Sequence, residues 1–233
     1  NHTSSEFARS KAWLPQPGET RVLQKDIDVA DVAVVDMTVH PVPGYKQKAQ
    51  AAVLQSHFRT IAFDKMRTEE QLAYAVGALA RPIEDYSAIG LFIQTPVKGP
   101  KEIQARFDQF KKEYAVELDN MSLDTFAQLK NATLVSLKEQ PKNLSDEMGP
   151  LITDWYRENF NFDSKQKLID EVEKVTLEDI KQYYKQTMLN PQAARLNVQL
   201  RGTKFVESDF ADLPNQTKIQ SLETYYNGIK LQK

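Results

Sequence analysis

The chain has 233 residues, 41% of them apolar and 27% charged, with a formal net charge of −2. That balance is ordinary for a globular fold of one large domain or two small ones, and it argues against nucleic acid as a partner, because gripping a phosphate backbone needs a basic surface. Cysteine is absent, which excludes disulfides, cysteine nucleophiles and thiolate metal sites, and no apolar run approaches the roughly 20 residues that a membrane span needs.

Residues 1–18 read as a linker or entry arm, being polar and carrying Pro15, Pro17 and Gly18. Their first five residues show no signal-peptide pattern, which says nothing of the destination of the protein. Residues 19–233 read as a single α+β domain. Segments 21–27 and 32–39 are strand candidates, the second rich in β-branched valines, with a turn over 28–31 between them. Pro41-Val42-Pro43-Gly44 breaks the chain, and a helix follows over 46–66. Strands are expected over 72–80 and 89–97, joined by a loop around 82–87. Pro100 opens a second helix at its first position, and Ile103, Phe107, Phe110, Tyr114 and Leu118 give that helix one apolar stripe. Ser122 caps a third helix running to about residue 139, before Pro141. Helical segments follow over 145–159, 164–174 and 176–188, the last opened by a capping-box pattern of Thr176 and Asp179. Residues 194–200 alternate, with Leu196, Val198 and Leu200 on one face and Arg195, Asn197 and Gln199 on the other. This is the pattern of a half-buried strand in an antiparallel β-sheet with helices packed on one face. The tail beyond Gly202 reads as irregular. Strands and helices do not alternate singly, so the expected class is α+β.

The segment Phe63 to Val76 is the most informative. It places Arg67 and Tyr74 seven residues apart across a helix-to-strand junction, where side chains tend to be exposed. Thr68 and Gln71 have the form of a capping box, so a fresh helical turn is expected after Arg67. Arginine offers five fixed donors and tyrosine a phenolic hydroxyl, a pair suited to holding a peptide carbonyl or a developing oxyanion. The same residues also fit a salt-bridged helix end followed by a core tyrosine.

Other chemistry has little support. The three histidines, His2, His40 and His57, are far apart, and none belongs to an H-x-x-E-H signature, so no metal site is expected in this chain. Glu69 and Glu70 are adjacent and point apart on a helix, where they read as favourable charge at a first helical turn. No G-x-S-x-G elbow, phosphate loop or dinucleotide fingerprint is present. Met148, Ile152, Trp155 and Tyr156 read as core packing at helical spacing. Of the pair Tyr183-Tyr184, one ring is expected inside and the other at the surface or an interface.

The run Arg67-Thr68-Glu69-Glu70-Gln71-Leu72-Ala73-Tyr74-Ala75-Val76 after an apolar helix resembles the C-terminal half of the pitrilysin and insulin-degrading-enzyme family, the inverted-motif zinc peptidases (inverzincins). Further stretches are similar in order and spacing: Gly90 to Thr95, Lys138 to Ser145, Asn161-Phe162-Asp163 and Leu177 to Tyr184. One departure is Ala73, where the family usually has glycine. The resemblance implies the fourth domain of a four-domain peptidase, with an antiparallel sheet under helices. It implies zinc bound by the N-terminal half of the same polypeptide and none in this chain, which alone would be inactive. It also implies peptide substrates taken into a closed chamber, with Arg67 and Tyr74 binding substrate and Tyr74 stabilising the oxyanion. The compartment implied is the periplasm, with the cytoplasm as the alternative. Two other readings of the same fold are a non-catalytic scaffold or assembly subunit and a peptide-binding module.

Overall fold

A computed structural model of the protein describes residues 16–220. The expected arm lies outside the described residues except for residues 16–18. The strands are β1 (Thr20–Asp26), β2 (Val32–Val39), β3 (Ala75–Ile83), β4 (Tyr86–Thr95), β5 (Ala194–Arg201) and β6 (Gln216–Ile219). They form one sheet in the order β3-β4-β2-β5-β1-β6. β3–β4, β4–β2 and β2–β5 are antiparallel, whereas β1 runs parallel to both β5 and β6. The α+β class and the single helical layer agree with the sequence reading, but the sheet is mixed rather than wholly antiparallel. The tail is not wholly irregular either: β6 has four residues, too few for its alternation to be legible. The loop expected over 82–87 is a two-residue turn at Glu84-Asp85, with Ile83 facing Tyr86 across the hairpin. Pro82 is tolerated within β3 because β3 is an edge strand.

The helical layer begins with α1 (Tyr45–Phe63), which lies between strands β3 and β4 on one side and the later helices on the other. Small residues on α1, Ala49, Ala51 and Ala62, are buried beside Val53, Leu54 and Phe58, so backbones approach closely on more than one side. Helix α2 (Pro100–Asp119) buries the whole of its expected stripe. Glu102 accepts from the Gly99 N–H at 3.1 Å and so satisfies the helix start. Next come α3 (Leu123–Lys138), capped by Ser122, and α4 (Leu144–Tyr156), capped by Asn143. They are followed by α5 (Ser164–Lys174) and α6 (Leu177–Thr187), where Thr176 and Asp179 form the expected capping box. Phe58 meets Tyr114 edge-on with centroids 4.6 Å apart and Tyr184 at 5.7 Å. Such pairs add about 0.5–1.5 kcal/mol each beyond their buried area.

Two expectations about aromatic residues are corrected. Tyr183 and Tyr184 are both buried, because α6 is covered on two sides. Tyr184 donates to the Lys111 carbonyl at 2.9 Å, while the Tyr183 hydroxyl lies 3.0 Å from Ser87 Oγ and its ring stacks on His40. Trp155 and Tyr156, by contrast, are 56% and 68% exposed, and Met148 and Ile152 are exposed with them. Helix α4 packs mainly on α5, and among its described residues Asp154 is the one that is buried. Its apolar stripe therefore faces outward.

In strand β5, half-buried as expected, the polar face meets the helices. Asn197 and Gln199 are fully buried, while Leu196, Val198 and Leu200 are half-buried on the far side. The cause is a charge cluster between sheet and helix α2. Asp36 of β2 accepts from Arg195 at 2.6 and 2.7 Å, from Lys111 at 2.5 Å and from Gln104 at 3.2 Å. Asp108 adds a second carboxylate, 3.2 Å from Lys111 and 3.3 Å from Arg195. Asn197 donates to Gln104 at 2.7 Å, and Gln199 reaches both backbone groups of Ala211. Buried polar groups are stable only when partnered, and here each has a partner. Burial works to raise the Asp36 carboxyl, but the Lys111 and Arg195 charges outweigh it and hold it well below the usual carboxylate range.

Candidate functional site at the junction of helix α1 and strand β3

After Phe63 the helix widens into a π-helical turn, Asp64–Glu69, that carries Arg67. Such turns are rare and cluster at functional sites. The fresh helical turn expected after Arg67 does not form: Gln71 takes a left-handed φ of 52°, and the chain leaves the helix there. Several contacts fix the exit. Leu72 N–H donates to the Met66 carbonyl at 2.8 Å, and Thr95 Oγ1 donates to the Leu72 carbonyl at 2.5 Å. Leu72 and Ala73 are buried and peg the segment to the core. Glu69 and Glu70 stand at this helix end, not at a first turn. Glu69 pairs with Lys65 at 2.8 Å, whereas Glu70 receives a two-pronged contact from Arg106 of α2. Arg106 also reaches Glu113 at 2.9 Å, which straps the junction to α2.

The structure brings Arg67 and Tyr74 together. Arg67 donates through Nη1 to the Tyr74 carbonyl at 2.7 Å, and its guanidinium sits 5.1 Å from the Phe63 ring centre. One of its N–H groups holds the backbone, and the exposed remainder can bind a carbonyl or carboxylate. Tyr74 is 46% exposed, so it is not a core tyrosine. Its hydroxyl donates to Oδ2 of Asp31. That hydrogen bond, with burial and the Asp31 charge behind it, raises the phenol above its ordinary value.

Asp31 is the residue that the sequence did not reveal. It closes the turn between β1 and β2, 43 residues before Tyr74, and no local pattern links the two.

The histidines are engaged elsewhere. His40 Nδ1 accepts from the Val42 N–H at 3.1 Å, and its Nε2 lies 2.9 Å from Gln186 Oε1. His57 Nδ1 lies 2.8 Å from the Tyr114 hydroxyl, and burial pushes its imidazole below the ordinary value. His2 lies outside the described residues. Among the described residues no group of three or more histidine and carboxylate side chains is placed to hold a metal ion, and no helix is long and apolar enough to cross a membrane.

Residues 53–152, which include the whole junction, match the family described as PQQ synthase PqqF-like, C-terminal lobe domain 4. Protease 3 of Salmonella typhi is 26% identical over 208 residues, 88% of this chain and 22% of that protein. Insulin-degrading enzyme of Drosophila melanogaster is 25% identical over 123 residues, 53% of this chain and 12% of that protein. The crystal structure of pitrilysin superposes with a TM-score of 0.85 at 23% identity, over 97% of this chain and 24% of that one. The chain is homologous to the C-terminal lobe of pitrilysin-type peptidases.

The homology accounts for the sheet and helix order, and the chain spans about a fifth of the length of Protease 3. It also bears on Ala73, where the pitrilysin family usually has glycine. A left-handed backbone would demand glycine there, but the left-handed residue in this turn is Gln71 and not Ala73. Alanine is therefore accommodated.

Proposed function

We propose that residues 19–233 form the zinc-free C-terminal domain of a zinc metalloendopeptidase that degrades peptides in a closed chamber. The observation that carries this reading is the junction itself. A braced π-helical turn exposes the Arg67 guanidinium, one N–H of which holds the Tyr74 carbonyl, and the chain leaving that turn exposes the Tyr74 phenol. Arg67 holds the backbone of a bound peptide through its exposed donors. Tyr74 supplies a hydroxyl to the oxyanion of the tetrahedral intermediate, the kind of help worth about 3 kcal/mol per donor in other hydrolases.

The described residues do not fit a zinc centre, since no three histidine and carboxylate side chains converge and His40 and His57 are each bonded to a different neighbour. In this reading zinc, and the peptide-bond chemistry it supplies, belong to the N-terminal half of the same polypeptide. The outward stripe of α4, with Met148, Ile152 and Trp155, supports a large covering partner, because exposed apolar patches of this kind mark interaction surfaces. The resemblance implies the periplasm as the compartment.

Arg67→Lys in the full-length enzyme tests the reading. Lysine keeps the charge and one contact to the Tyr74 carbonyl but loses the planar fork. KM for a fluorescence-quenched peptide should rise about tenfold, and kcat should fall as well. Activity that merely tracks the folded fraction would assign Arg67 a structural role instead. A calorimetric titration of the isolated chain with zinc is expected to give no stoichiometric site of micromolar or tighter affinity.

A further inference from the structure

A phenol has one hydrogen, so Tyr74 donates to one acceptor at a time. In this structure that acceptor is the Asp31 carboxylate. Both partners are held from behind. The Tyr74 backbone is fixed by Arg67, and the neighbouring Leu72 carbonyl by Thr95. The Asp31 turn is gripped by the end of β5: Ile27 N–H donates to the Arg201 carbonyl at 3.0 Å, and Thr203 N–H to the Val29 carbonyl at 2.8 Å. Gly202 lies so close to the Ala30 and Asp31 backbone that any Cβ there would collide with it. Two anchored segments from distant parts of the chain thus aim a phenol and a carboxylate at each other.

We propose that Asp31 is a positioning residue that retains the Tyr74 proton in the resting state and competes for it with the substrate oxygen. The proposal rests on the reading of Tyr74 as the oxyanion donor. For Tyr74 to donate to an oxyanion, its O–H must swing away from Asp31. The phenol oxygen then turns its lone pairs toward a full negative charge, which is repulsive. Asp31 therefore favours the resting orientation and disfavours the donating one. The raised pKa of the phenol agrees, since the hydrogen bond to Asp31 keeps the proton on the ring oxygen.

Asp31→Asn removes the charge and can turn its amide N–H to the phenol oxygen, which favours the donating orientation. Asp31→Ala removes the competitor outright. The test measures kcat and KM of the full-length enzyme on a fluorescence-quenched peptide, for both variants, alone and in the Tyr74→Phe background, with thermal midpoints on the same preparations. Both single variants should raise kcat about threefold to tenfold with little change in KM, and neither should alter kcat in the Tyr74→Phe background. A merely structural role would lower the thermal midpoint and the activity together and would persist in that background, overturning the proposal. Unchanged kcat in both Asp31 variants, with Tyr74→Phe impaired, would overturn the proposal alone. Wild-type turnover of Tyr74→Phe would remove the catalytic reading of the site and the role of Asp31 with it.

Discussion

Tyr74→Phe in the full-length enzyme is expected to lower kcat about ten- to a thousand-fold with KM nearly unchanged, the signature of an interaction made mainly in the transition state. The substitution deletes one hydroxyl and keeps the ring. Tyr74 is half-exposed, so packing should survive. The lost contact to Asp31 lies at the surface, where such bonds contribute little to stability. The thermal midpoint should therefore move little while turnover collapses. Wild-type kinetics in this variant would show that the junction is a structural turn, leaving only the fold and the homology.

The largest effect on stability is expected at Asp36. Its carboxylate lies fully buried between Arg195 and Lys111. Asp36→Ala leaves two cations with Asp108 as their remaining carboxylate partner. Removing one partner of a buried ion pair costs about 3–5 kcal/mol, or on the order of 10 °C in melting temperature for a chain of this size. Replacing Lys138, whose pair with Glu173 is half-exposed, should change stability by less than about 1 kcal/mol.

The pH dependence follows from the direction of the Asp36 shift. The folded carboxyl titrates below its unfolded value of about 3.9. The stability it contributes is present in full above that value and is lost as pH falls below it. Acid unfolding of the wild type should steepen below about pH 4, and Asp36→Ala should be less sensitive in that range. Urea melts at pH 7 and pH 3 measure both effects. A midpoint for Asp36→Ala equal to the wild type at pH 7 would mean that the cluster is solvated rather than buried.

Much of this protein is legible locally. The stripe Ile103 to Leu118, the Ser122 and Thr176 caps and the limits of β2 follow from spacing and side-chain type, and the structure reproduces them. Those signals work because helix and strand periodicity and capping are decided within a few residues. The Arg67 and Tyr74 spacing was equally visible, since it is a property of one continuous segment.

Tertiary structure decided the rest. Alternation in β5 set apart two faces but not which one would be buried; Asp36, 159 residues away, made it the polar one. The stripe on α4 looks the same in sequence whether or not anything covers it, and its light packing, mainly on α5, leaves it exposed. The widening of the helix at Asp64 and the left-handed Gln71 depend on where β3 must begin and on Thr95 holding the turn. Asp31 meets Tyr74 because β5 and Gly202 pin a loop from the start of the chain. Each of these outcomes is set by contacts between segments far apart in the chain, and local propensity carries no record of such partners.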